Sequence, residues 1–133
     1  MTIKVVDIIV ERKGMILLTK RGDYWILPGG EIEPGEDEVE CLHEVVSKEM
    51  QDTVSSIFRK LDKTITGPSP VRDGDVEVSV YVGDIGSKKM SDVKDCNAHW
   101  FSERSIGALR LSNITKAVLE YYYSVKAEDE KGA

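Results

Sequence analysis

Cysteine, proline, histidine and net positive charge are all scarce in this sequence, and it has no long apolar run. The two cysteines, Cys41 and Cys96, are far apart, and neither has a CxxC partner. That argues against a disulfide framework or a thiolate zinc site and leaves two reduced thiols acting as small apolar side chains. His43 and His99 are isolated, so no histidine metal cluster is expected either. No segment reaches the ~18 consecutive apolar residues of a membrane helix, and no signal-peptide pattern is present. A cytoplasmic protein with no membrane partner is therefore expected. Lys and Arg number 18 against 24 Asp and Glu, a net charge of −6. Such a surface repels a nucleic-acid backbone and argues against a nucleic-acid polymer as partner. Small anions remain open to it, because a local basic cluster or a helix N-terminus binds phosphate even in an acidic protein. What is present is ordinary for one globular domain: 133 residues, 41% hydrophobic and 32% charged, enough to bury a single core.

The chain shows no repeat or low-complexity tract. Ile3 to Val10 and Met15 to Thr19 are apolar runs separated by the turn Glu11-Arg12-Lys13-Gly14, which predicts two adjacent strands. Gly22 to Gly35 contains Pro28, Gly29, Gly30, Pro34 and Gly35, and reads as loop with at most a short strand around Trp25 to Leu27. Asp37 then starts a helix as the first residue of a capping box with Glu40. Leu42, Val45, Val46 and Met50 give that helix its apolar stripe, and it is expected to end near Met50 to Asp52. Ile57, Leu61 and Ile65 suggest one strand running into Gly67-Pro68-Ser69-Pro70. Val76, Val78, Val80 and Val82 alternate with Glu77, Ser79 and Tyr81, a clean period of two. His99-Trp100-Phe101 reads as a short strand. A final helix is expected at about Ile114 to Val125, with Ile114, Val118, Leu119 and Tyr122 inward. The run Tyr121-Tyr122-Tyr123 cannot be wholly inward, and a homodimer is one way to cover it.

One stretch says more than fold class. From Met15 the sequence reads MILLTKRGDYWILPGGEIEPGEDEVE. Gly29 and Gly30 permit close backbone approaches that a side chain would forbid. A glycine-rich loop feeding a carboxylate-bearing helix can hold hard cations, and those cations bind polyphosphate oxygens.

This stretch resembles the Nudix hydrolase family: an apolar strand ending in Lys-Arg, an aromatic, Leu-Pro-Gly-Gly, and a Gly-Glu pair opening a helix. The spacing from Gly30 to Glu36 is that of the first part of the family's signature box. Asp95 to Ser102, with Trp100-Phe101 ahead of the terminal helix, is similar to the family's last strand and closing helix. The resemblance implies an α/β fold, a Nudix-type α/β/α sandwich with a mixed sheet between helices. It would span residues 1–127 as a single domain, with 128–133 a flexible tail.

In that family the helix continues with Arg-Glu, an apolar residue, a variable residue, Glu-Glu and, one position further, Gly. The glutamates hold magnesium and position the water that cleaves a nucleoside diphosphate linked to another group. Here the helix reads EDEVECLHEVVSKEMQD and departs from the pattern. Without a gap, Glu44 stands in place of the Arg, Val45 and Lys48 replace two glutamates, and Glu49 alone is kept. With one residue deleted, His43 replaces the Arg and Glu44 keeps the first glutamate, while Ser47 and Lys48 replace the pair. A deletion inside a helix rotates all that follows by ~100° and disturbs the buried stripe, which favours the ungapped register.

Either register leaves one glutamate of three. Lys48 beside Glu49 opposes a cation, since unit charges at ~4 Å interact by about 4 kcal/mol at an effective dielectric of ~20. Lys48 can instead pair with Glu44 at i,i+4, worth about a few tenths of a kcal/mol. The resemblance implies Glu49 or Glu44 as catalytic carboxylate and principal ligand of magnesium or manganese. Gly30 would lend its carbonyl, and Glu36 would support the metal loop. Lys20 and Arg21 would meet phosphates, Gly29 and Gly30 would line the substrate, and Trp25, with Tyr24, would stack on a base or pack a strand. Asp75, Glu77 and Asp95 are weaker candidates, read as solvated carboxylates. Two functions stay open: a divergent, weak, metal-dependent pyrophosphohydrolase of a nucleoside diphosphate derivative, or a non-catalytic module that binds a nucleotide or a protein partner.

Overall fold

The computed structural model describes residues 2–70, 73–87 and 97–131; Asp95 and Cys96 lie outside the described residues. Its elements are β1 (Ile3–Arg12), β2 (Met15–Arg21), β3 (Tyr24–Ile26), β4 (Gly29–Glu31), α1 (Glu38–Met50), β5 (Val54–Lys60), β6 (Ile65–Pro68), β7 (Asp75–Ile85), β8 (Ala98–Ser102), α2 (Glu103–Ile106) and α3 (Asn113–Lys131). The β1–β2 hairpin closes through Lys13 and Gly14, both at positive φ (52° and 75°), and Arg12 pairs with Met15. Two such residues make the turn whose twist matches that of the flanking strands.

β1 is the hub of a mixed sheet. It runs parallel to β7 from Ile3–Val76 to Val10–Gly83 and antiparallel to β4 from Val5–Glu31 to Asp7–Gly29. It also pairs with β2 at the hairpin end, and β2 carries β3 and β8. β5 and β6 pair with β7. Successive side chains of β1 therefore enter two different cores. Val6, Ile8 and Val10 pack with Leu17 against Cys41, Leu42, Val46 and Met50 of α1. Ile9, with Ile16, Leu18, Val76, Val78 and Val80, packs against Ile114, Val118 and Leu119 of α3. A sheet covered on both faces by helices is the expected α/β/α sandwich. No helix among the described residues is long and apolar enough to cross a membrane.

Three expectations need correction. Ile57 to Ile65 forms two strands, not one: the chain leaves the sheet between them, and Leu61 is buried there with its N–H donating to the Val80 carbonyl. Spacing of four puts residues on one face of a strand only while the strand is continuous, and Ile57 is instead exposed. Gly29 to Glu31, read as loop, is a short strand, because the glycines let it lie close against β1. The last helix runs past Val125 to Lys131, so Glu128–Lys131 are helical where a tail was expected; Ala127 and its charged neighbours are good helix formers, and no Gly interrupts them before Gly132. Tyr121, Tyr122 and Tyr123 are all half-buried against the α3-side core, and Tyr122 Oη donates to Glu11 Oε1 at 2.9 Å.

Candidate active site

α1 starts where Asp37 accepts hydrogen bonds from the Val39 and Glu40 amides at 3.1 and 3.3 Å. It runs unbroken to Met50 with its buried stripe intact. Gln51 then takes a left-handed conformation (φ 51°, ψ 40°) and its N–H donates to the Val46 carbonyl. Glycine adopts that conformation without steric penalty. In the ungapped register the glycine of the family pattern falls on Gln51; in the gapped one it falls on Met50, which is helical and buried. The backbone thus favours the ungapped register.

The outer side of α1 borders a shallow cleft lined by Glu31, Glu33, Glu36, Glu44, Val45, Lys48 and Glu49. Three of these carboxylates, those of Glu36, Glu44 and Glu49, are already engaged in specific contacts. Glu36 Oε1 accepts from the Glu33 amide at 3.1 Å. Lys48 Nζ lies 2.6 Å from Glu44 Oε1, lowering the Glu44 carboxyl below its usual range, helped by a hydrogen bond with Glu36, and raising the Lys48 ammonium. Arg21 reaches across from the end of β2 to Glu49, 2.9 Å away. Glu31 belongs to β4 and has contacts of its own. Val45, at the place of the first glutamate, abuts β4: a Cβ built on Gly30 would lie 2.7 Å from Val45 Cγ2. Beneath the cleft, burial and then the charge of Glu36 push the Cys41 thiol up to about 11, so it is an inert, protonated core group.

Magnesium requires oxygen ligands converging in near-octahedral geometry. Among the described residues, no three His, Cys, Asp or Glu side chains converge in that way. Glu49 is neutralised by Arg21 and Glu44 by Lys48. This donor set does not fit a magnesium ion.

A second cleft opens on the opposite, α3-side face of β4 and shares Glu31 with the first. It encloses a cavity of about 150 Å³ that opens to solvent. Its walls are mostly apolar, including Ile26, Leu27, Pro70, Val78 and Ile114, and Arg21, Gly29, Gly30 and Glu31 stand along it. Asp7 also lines it, only 7% exposed, its carboxylate against the backbone of Gly29. Among the described residues no hydrogen bond or ion pair reaches that carboxylate, and burial pushes its pKa up to about 8.

The residues expected to bind substrate are dispersed differently. Gly29, Gly30 and Arg21 come together at the Asp7 cleft, and Arg21 also joins it to Glu49. Lys20 is exposed and lines neither cleft. Trp25 packs edge-on against His99 and Phe101, with ring centroids 5.6 and 4.8 Å away, and its amide donates to the Arg110 carbonyl. Tyr24 lies under the Arg110 guanidinium at 5.1 Å. Asp7 was missed, although a lone acid inside Ile3–Val10 was a visible signal, since a strand with both faces covered is otherwise apolar.

This arrangement, a two-faced mixed sheet with a glycine-rich strand opposite a capped helix, has a known class. The NUDIX domain model matches residues 1–122, and the chain belongs to the Nudix family. Its fold is similar to that of the E. coli ORF135 protein, with TM-score 0.77 and 20% identity over 96% of this chain and 92% of that one. A NUDIX hydrolase from Nitrosomonas europaea gives TM-score 0.74 and 20% identity over 95% and 91%. The MutT NUDIX hydrolase from Burkholderia pseudomallei gives 0.73 and 18% over 90% and 97%. No curated protein sequence matches the chain significantly.

Proposed function

We propose that this Nudix protein binds a nucleotide derivative in the Asp7 cleft, with the phosphates toward Arg21 and α1, and does not hydrolyse it efficiently. The observation that carries this reading is the pairing of Glu49 with Arg21 and of Glu44 with Lys48, which sets cations of the chain itself against the two carboxylates that the family resemblance assigns to a metal. The same two cations are groups a polyphosphate could recruit, because both pairs are solvent-exposed and worth little to stability. The competing reading is a slow metal-dependent pyrophosphohydrolase, and one observation favours it: Glu33, Glu36, Glu44 and Glu49 still line a single cleft.

Two measurements separate them. Nucleoside diphosphates and their derivatives should raise the melting temperature by mass action, with or without magnesium. A product screen with magnesium and with manganese should show no turnover above a Glu44→Ala/Glu49→Ala double variant. Metal-dependent turnover well above that variant would establish the hydrolase reading instead. No thermal shift with any nucleotide, up to several millimolar, would sink both and leave a protein-binding module.

A further inference from the structure

A third cleft lies between α3 and the segment that precedes it, α2 with the loop joining the two helices. It encloses about 420 Å³, against about 150 Å³ for the Asp7 cleft, and shares no residue with either cleft beside β4. Its apolar lining is Ile106, Leu109, Leu111 and Leu119, of which Leu109 and Leu111 are only half-buried. From α3, Asn113, Lys116, Glu120 and Tyr123 line it at steps of three and four residues, so they form one stripe along the helix.

The charges along this cleft are sorted by sign. Lys116 is in the first turn of α3 and Arg110 is on the loop just before that helix, so both cations stand at one end. Glu120 comes one turn further along the stripe. Glu103, which opens α2, stands at the Tyr123 end: burial and then the charge of Glu103 push the Tyr123 phenol up to about 12. The chain neutralises none of the four. Arg110 lies over the Tyr24 ring at 5.1 Å, while Lys116, Glu103 and Glu120 join no ion pair among the described residues. Two uncompensated cations at one end and two uncompensated carboxylates at the other select an occupant of opposite polarity with an apolar middle.

We propose that this cleft binds a short zwitterionic peptide with apolar side chains, its carboxylate toward Lys116 and Arg110 and its ammonium toward Glu120 and Glu103. Lys116 and Tyr123 are ~10 Å apart along the helix axis, at 1.5 Å per residue. An extended tripeptide spans about the same length, at ~3.3–3.6 Å per residue. A free α-amino acid carries both charges on one carbon and cannot reach both ends. Apolar side chains of the peptide would cover Leu109 and Leu111, removing their exposed surface from water. The site is on a different face from the nucleotide-binding reading and does not rest on it.

The experiment is calorimetric titration of the full chain with the tripeptide Leu-Ala-Leu and with its N-acetylated, C-amidated and doubly blocked forms. The free peptide should bind with a Kd of about 1 mM or below, and the doubly blocked form about tenfold more weakly. Lys116→Gln should weaken the free peptide about fivefold and leave the C-amidated form unchanged, because that form has no carboxylate to lose. Glu120→Gln should likewise weaken the free peptide and leave the N-acetylated form unchanged. Both positions are exposed, so each variant should keep the parent's melting temperature. Absence of binding by the free peptide at about 10 mM would overturn the proposal. So would a doubly blocked peptide that binds as tightly as the free one, since the charged ends would then read nothing. Peptide binding that neither variant weakens, or that a nucleoside diphosphate displaces, would assign the peptide to another site and overturn the proposal as well.

Discussion

Replacing Asp7 by Asn should make the protein more stable at neutral and alkaline pH, and the size of the gain should depend on pH. In the folded chain the carboxyl holds its proton up to about 8; in the unfolded chain it loses it near the ordinary 3.8. Between those values the folded state binds more protons than the unfolded one, so the contribution of Asp7 to stability falls as pH rises and levels off above about 8. At about 1.4 kcal/mol per pKa unit, the full span amounts to about 6 kcal/mol. The cleft is open on one side and admits water, which relieves part of the charge burial. We therefore expect about 3 kcal/mol between pH 5 and pH 9, or roughly 10 °C in melting temperature for a domain of this size. Urea denaturation of the parent and Asp7→Asn across that range is the assay. The difference between the two proteins is the quantity to follow, because it cancels the titration of every other group. A difference that is flat from pH 5 to pH 9, or that shrinks as pH rises, would refute the reasoning.

Two further perturbations bear on α1. Val45→Glu with Lys48→Glu would set three carboxylates around Glu49, since positions i and i+3 share a helix face; isothermal titration should show magnesium binding absent in the parent, with about 1–3 kcal/mol lost without metal as the longer side chain introduced by Val45→Glu presses on Gly30. A folded double variant with no gain in metal affinity would show that these positions do not face the cleft as the ungapped register requires. Gln51→Gly should stabilise the chain by about 1 kcal/mol by removing the left-handed penalty at φ 51°, and an unchanged or lower denaturation midpoint would remove the main backbone argument for that register.

The sandwich was legible because its signals are local. The alternation at Val76 to Val82, the Asp37 cap and the stripe through Leu42 and Val46 each state a period or a boundary directly. β4 was not legible, because Gly29 and Gly30 have no strand propensity and pair only through the nearness of β1. The split between β5 and β6 was hidden because an isoleucine–leucine spacing looks the same whether the chain stays in the sheet or leaves it. Of the candidate site, Arg21, Gly29 and Gly30 line one cleft, yet the Arg21–Glu49 pair joins residues far apart in sequence and no local pattern announces it. Trp25 illustrates an ambiguity of type: an aromatic near a glycine-rich run can stack on a ligand or fill a core, and only the positions of His99 and Phe101 decide.

β1 is locked to three neighbours at once, which has a consequence for selectivity. Asp7 stands opposite Gly29 on one side and Val80 on the other. Sliding β1 by one residue would turn Asp7 toward Leu42 and Val46 and bring Ile8 to the cleft floor, a change from acid to hydrocarbon with no mutation. That slip is forbidden by Val6, Ile8 and Ile9, which would exchange helices and leave both cores misfilled. The polarity of the cleft is thus guarded by aliphatic side chains facing elsewhere. Volume changes at Val6 or Ile8, on the far face of the sheet, would disturb the cleft while leaving every residue that lines it unchanged.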